Sequence, residues 1–405
     1  MTDQALTSRK SGNDFFIVGG TYNEICQDPA YASLMGSGFR AALALSAAIP
    51  GLHFKTCLGE PDIDNFTATC DAQGIRSIIT STTATVIFSY LHPLKRPDMY
   101  PQITESEMFS LPRFQAEHVL YYGMAETIVP VDAGWLVYDP QSLISFEATG
   151  STAKHLALIL NKKEAAYFCG TTTETDIQDL GTQLLADHRA EVVVIKNGAA
   201  GAWVFQPNSM THVPVFRTSQ VWPIGSGDIF SAAFAWQWIH LRQPAGTAAL
   251  LASKFTATYC TTKALPLPAR PTKYPALKFK PDQRKIYLAG PFFTQAERWL
   301  IEELKDTLED FGQHVFSPLH DVGTKGSAKM IAEADLAGIN QCKAMLAVVS
   351  GLDPGTLFEI GYARAKRKKV VVFAESLTDK DLLMLRGSGC IITSDLSTAI
   401  YTASW

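Results

Sequence analysis

Asp353-Pro-Gly355-Thr356-Leu-Phe-Glu359 is the stretch of this chain whose residue types and spacing speak most directly of chemistry. Asp353-Pro-Gly is a turn, and Thr356 could cap the helix that follows. Glu359 then falls in the first turns of that helix, facing back toward the strand ends. A carboxylate so placed suits cleavage of an N-glycosidic bond, which passes through an oxocarbenium-like state at C1′. It can stabilise that charge or trap the sugar covalently. A second carboxyl group is useful for managing protons on the leaving base. Two further features cluster with this stretch: YLAGPFF (287–293) at the first strand of the region, and Asp335 in the helix preceding the third strand.

A second constellation lies upstream, where Trp222-Pro-Ile-Gly225-Ser226-Gly227-Asp228 opens a helix near residue 229. Small residues at a helix start leave amides free to hold a developing anion, such as a transferring phosphoryl group. An aspartate there could take a proton from an attacking hydroxyl, which makes Asp228 the base candidate. Asn161-Lys162-Lys163-Glu164 directly follows a buried strand. VVVIKNGAAGAWVF (192–205) reads as strand, glycine turn and strand, with Asn197 and Gly198 in the turn.

The elements that must position these groups read as α/β throughout. FFIVGG (15–20), HLALIL (155–160) and EVVVIKNG (191–198) are continuous, β-rich runs of the kind that build parallel sheets. FRAALALSAAI (39–49) is apolar nearly all round and predicts a buried helix. Residues 78–103 alternate and carry several prolines, which predicts a small β flap. From Lys285 onward strands and helices alternate cleanly, implying a parallel sheet with its site at the strand C-termini. Prolines at 266, 268, 271, 275 and 281 predict an extended linker. The expected organisation is a loose tail at 1–13, an α/β domain at 14–265, a linker at 266–283 and a smaller doubly wound, Rossmann-like domain at 284–405.

Composition narrows the classes of partner. A net charge of −4 gives no general electrostatic reason to expect nucleic acid or a membrane surface. The seven cysteines form no C-x-x-C pair and show no metal-ligand spacing, which suits reduced thiols in the cytoplasm. The polar N-terminus lacks a secretory h-region, and no run of about 20 apolar residues spans a membrane. The apolar helices leave room for a homo-oligomer.

YLAGPFF, then D-L-A-G-I-x-x-C, then D-P-G-T-x-F-E-I-G-Y-A-x-A resemble, in order and spacing, the nucleoside 2-deoxyribosyltransferases and their deoxynucleoside-monophosphate glycosidase relatives. The resemblance covers about residues 285–376. It implies that Glu359 is the glycosyl-accepting glutamate, Asp353 the aspartate six residues before it, and Asp335 the acid near sugar or base. It also implies that Tyr287 positions the glutamate and that no cofactor is needed. One departure is Lys343, where the family often has aspartate. Residues 15–265 resemble the ribokinase-like (PfkB) sugar and nucleoside kinases. By that resemblance Gly225, Ser226, Gly227 and Asp228 match the anion hole and base. Asn161 and Glu164 help organise Mg²⁺ and phosphates, Asn197 and Gly198 lie on the nucleotide side, and ATP is the cofactor. Here the departures are larger. Asn23 stands for the substrate-binding aspartate, and Gly36-Ser37-Gly38-Phe39-Arg40-Ala41 lacks the expected asparagine.

The expected activity is cleavage or exchange of a base on a (deoxy)nucleoside or its monophosphate. The upstream domain binds, and in one version phosphorylates, a nucleoside or sugar. An ATP-dependent kinase with a nucleotide-sensing C-terminal domain, and a non-catalytic nucleotide-binding regulator, are the rival expectations.

Overall fold

The computed structural model describes residues 14–278 and 285–405; the expected tail at 1–13 lies outside them. A nine-stranded sheet forms the larger unit. Its strands run, edge to edge, Ser209–Val213, Ala202–Gln206, Val192–Lys196, Thr152–Asn161, Val131–Asp139, Phe114–Tyr122, Phe15–Val18, His53–Gly59 and Arg76–Thr82. All neighbours pair in parallel except the two joints made by Ala202–Gln206, which are antiparallel. Val192, Val193, Val194 and Ile195 are completely buried, as expected of strands covered on both faces. One face packs on Ser37–Leu45, Ser226–Ala235 and Ala245–Thr262. The other packs on Lys162–Phe168 and Ile177–Asp187.

A β flap is present, but with different membership from the one expected. Arg76–Thr82 belongs to the edge of the main sheet. The flap is built by Tyr31–Met35, Tyr22–Cys26, Ile87–Tyr90 and Asp98–Tyr100. The segment from residue 78 on thus divides between two sheets, and half of the flap comes from residues near the N-terminus. The proline-rich segment is also more engaged than an extended linker implies. Leu267 is buried, its amide reaches the Ala44 carbonyl, and Leu277 N–H donates to the Val215 carbonyl at 2.8 Å. The rest of that segment, 279–283, falls outside the described residues.

The smaller unit is a five-stranded, wholly parallel sheet in the order His314–Phe316, Lys285–Ala289, Ala344–Val348, Lys369–Phe373, Ile391–Thr393. Helices cover both of its faces, one against Ile339, Ile360 and Ala363, the other against Leu304, Leu308 and Ile400. Strand order reverses between Lys285–Ala289 and Ala344–Val348, and crevices for ligands open at such switch points. Among the described residues no helix is long and apolar enough to cross a membrane.

Candidate active site

The helix Pro354–Ala365 begins with Asp353 as its N-cap. One carboxylate oxygen of Asp353 accepts both the Thr356 amide at 2.6 Å and the Thr356 hydroxyl at 2.8 Å. Proline at the first helical position costs nothing, because its missing N–H would have no intrahelical partner there. This cap fixes the start of the helix at the sheet's switch point, and Glu359 follows in the next turn. Tyr287, on the adjacent Lys285–Ala289 strand, is wholly buried. Its ring stacks on Phe316 with centroids 5.4 Å apart, and its hydroxyl donates to Glu359 Oε1 at 2.6 Å.

Three carboxyl groups meet here. Burial pushes the Glu359 carboxyl up to about 7, the Tyr287 hydrogen bond pulls it the other way, and Asp335 and Asp353 add to the rise. Burial also raises Asp335 above the usual carboxylate range. Its enclosed Oδ1 has no hydrogen-bond partner among the described residues. The phenol of Tyr287 is lifted far out of its ordinary range by burial, with the Glu359 charge next. The hydroxyl therefore stays protonated and can donate to Glu359. The cluster brings together the four C-terminal residues singled out from the sequence. Phe316, which steadies the tyrosine ring, carried no signal there.

In the larger unit Gly225 caps the Ser226–Ala235 helix with φ +75°. A Cβ at that position would lie 2.1 Å from Arg40 Nε, so both the backbone angle and the neighbour demand glycine. Asp228 sits in the first turn and is fully engaged. Arg40 Nη1 donates to its Oδ2 and Gln141 Nε2 to its Oδ1, each at 2.6 Å. Arg40 is 1% exposed and pairs on its other side with Glu24. Gln141 and Glu24 were not anticipated from the sequence. Arg40 was visible only as the wrong residue in the glycine-rich segment.

Asn161 and Glu164 form a reciprocal capping box at the start of Lys162–Phe168. The Asn161 amide donates to Glu164 Oε2 at 2.7 Å, and the Glu164 amide to Asn161 Oδ1 at 2.9 Å. Glu164 keeps some solvent contact, yet its carboxyl lies deep between the cleft walls. Burial first, then the Asp139 charge, pushes it up to about 7. A neighbouring carboxylate missed in the sequence, Asp139, accepts from Lys196 Nζ at 2.9 Å and from the Ser231 hydroxyl at 2.6 Å. An acid at the C-terminal end of a parallel strand, before a proline, was the signal available for it. One cleft gathers Gly225, Ser226, Gly227, Asp228, Asn161, Glu164 and Gly198. Asn197 is not among the residues lining it.

The model of the nucleoside 2-deoxyribosyltransferase family matches residues 286–392. That of the pfkB family of carbohydrate kinases matches residues 148–270. No curated protein matches the chain. Among solved structures, ribokinase from Thermotoga maritima is 16% identical, with a TM-score of 0.47 over 63% of this chain and 96% of its own. Fructokinase from Vibrio cholerae is 17% identical, with a TM-score of 0.47 over 62% and 94%. The nucleoside kinase of Methanocaldococcus jannaschii is 14% identical, with a TM-score of 0.45 over 63% and 95%. The chain therefore joins a pfkB-family segment to a nucleoside 2-deoxyribosyltransferase-family segment.

Proposed function

We propose that the smaller unit breaks the N-glycosidic bond of a (deoxy)nucleoside or its monophosphate, with Glu359 as nucleophile. The observation that carries this is the 2.6 Å hydrogen bond from the buried Tyr287 hydroxyl to Glu359 Oε1. It orients one oxygen and leaves the carboxylate's other oxygen to meet the sugar. In this reading Glu359 forms the bond to C1′ as the C1′–N bond breaks, and the base departs with the bonding electron pair. Asp335 supplies the proton that the base takes up, since burial favours its protonated form. Asp353, its oxygen committed to the helix cap, holds geometry instead. Water or a second base then releases the sugar from Glu359, giving hydrolysis or exchange respectively.

Glu359→Gln is expected to cut base release by on the order of 10³-fold or more, because the lost interaction acts mainly in the transition state. Intact-mass measurement after incubation with substrate alone should find a glycosyl adduct on the wild type and none on the variant. An unchanged rate in the variant ends this reading.

The larger unit supports a second reading, in which its cleft binds a nucleotide without transferring phosphate. Both oxygens of Asp228 are occupied, and Arg40 fills the space beside it. The fit to a magnesium-bound nucleotide is mixed. The Ser226 helix start and Lys196 suit phosphate, but Asp139 and Asp228 are already held by protein donors. Wild-type protein should show no labelled product when a panel of sugars and nucleosides is incubated with γ-labelled ATP and magnesium. Labelled product that disappears in Asp228→Asn would restore the kinase.

A further inference from the structure

The cleft of the larger unit, about 1290 Å³ in volume, is not closed by that unit alone. One end is built for an anion. It presents the amides of the Ser226–Ala235 helix start and the Lys196 ammonium. Arg40 lines the same space and keeps its enclosed Nε–H without an acceptor among the described residues.

Another stretch of its wall is formed by Thr256, Ala257 and Cys260 of the long Ala245–Thr262 helix, and by Phe216 and Val221. The other unit contributes to the wall as well, through Tyr401 and Trp405 of the Leu396–Ser404 helix and its end. That helix is docked by a hydrogen bond between units, from the Val221 amide to the Thr398 hydroxyl oxygen at 3.0 Å. Tyr401 is held edge-on by Phe311, with centroids 4.9 Å apart. The Trp405 ring lies 5.7 Å from that of Tyr401. The indole Nε1–H of Trp405 is enclosed and has no acceptor among the described residues.

The aromatic faces of Tyr401 and Trp405 on this wall suit a flat ring. Aromatic walls favour the same class, since heteroaromatic bases stack on such side chains with little regard to sequence. A ligand joining that ring to an anion is a nucleotide, and the cleft exceeds the roughly 300–1,000 Å³ of ordinary small-molecule sites. We propose that the cleft is a composite nucleotide site, its phosphates held by the pfkB-family unit and its base by Tyr401 and Trp405 of the deoxyribosyltransferase-family unit.

This rests on reading the larger unit's cleft as a nucleotide-binding site, and the test separates the two. The full chain is titrated with ADP, with adenosine and with pyrophosphate, following heat and tryptophan fluorescence. ADP is expected to bind the wild type and to quench fluorescence. Trp405→Ala should weaken ADP by about 5- to 100-fold while leaving pyrophosphate unchanged. Trp405→Phe, which keeps a stacking face and guards against misfolding, should retain most of the affinity and lose part of the quench. Thr256→Phe, adding bulk to the helix stretch of the wall, should weaken ADP and adenosine but not pyrophosphate. Wild-type affinity for ADP in both Trp405→Ala and Thr256→Phe overturns the composite site while sparing the nucleotide reading. Failure of the wild type to bind ADP at all overturns both.

Discussion

A carboxyl group whose ionisation falls near pH 7 makes the rate a report on its own charge. Glu359 must be ionised to attack C1′, so base release should rise with pH along a limb whose midpoint lies near 7. The Tyr287 hydrogen bond favours the ionised form. Removing it in Tyr287→Phe should therefore move that limb to higher pH and lower the rate at pH 7 by about 10- to 100-fold, the scale of a hydrogen bond to a charged group. A pH profile of kcat/KM on both proteins checks this. A lower rate with an unmoved limb would leave the tyrosine as a packing residue under the sugar. The resemblance of their motifs to the deoxyribosyltransferase family is what made Glu359 and Tyr287 legible as a pair. Spacing could not reveal which of the nearby acids keeps a proton, since that depends on burial and on neighbours contributed by a separate helix.

Elements fix what single residues cannot. Asp353 shows the distinction, since the same carboxylate that completes a chemical motif also starts a helix. Asp353→Ala should cost about 0.5–2 kcal/mol of stability, the usual value of a lost N-cap. Asp353→Asn should keep most of that stability, because an amide oxygen can still accept from the Thr356 amide. Urea melts of the two variants measure this, and equal losses would mean that charge rather than capping matters there. Parallel strands such as Val192–Lys196 were plain in the sequence because they are apolar up to their last residue, and the helix start at Gly225 because of its small residues. The flap was only half legible. Tyr22–Cys26 and Tyr31–Met35 are short, five residues each, so nothing local ties them to Ile87–Tyr90, with which Tyr22–Cys26 pairs in parallel. Arg40 was likewise seen only as a departure. Its pairing with Glu24 and Asp228 joins residues 16 and 188 positions away, beyond what periodicity carries.

At the scale of the whole molecule, the flap of one unit grips a helix of the other. Glu303, its side chain 8% exposed, accepts from Lys95 Nζ at 2.5 Å and pairs with His92 Nε2 at 3.1 Å. Burial alone would raise this carboxyl, but the Lys95 and His92 hydrogen bonds outweigh it and hold the group below its ordinary range. The stabilisation it gives is therefore complete above the usual carboxylate value and is lost as pH falls through the lowered one. Glu303→Gln should loosen the flap, seen as faster hydrogen exchange of amides in residues 87–100, and it should abolish the acid sensitivity of that exchange. Unchanged exchange would mean that apolar packing of Leu94 against the second unit holds the flap by itself. The covalent path between the units has its own consequence. Leu277 is pinned to the first unit by its bond to Val215, and Lys285 opens the first strand of the second. With seven residues between them, 278–284, the eight steps from Leu277 to Lys285 can reach no farther than about 29 Å. A leash that short keeps each unit at an effective concentration of roughly millimolar with respect to the other. A ruptured clasp then recloses in place however dilute the protein, and a cut in the leash, not a weaker contact, is what would set the two units free.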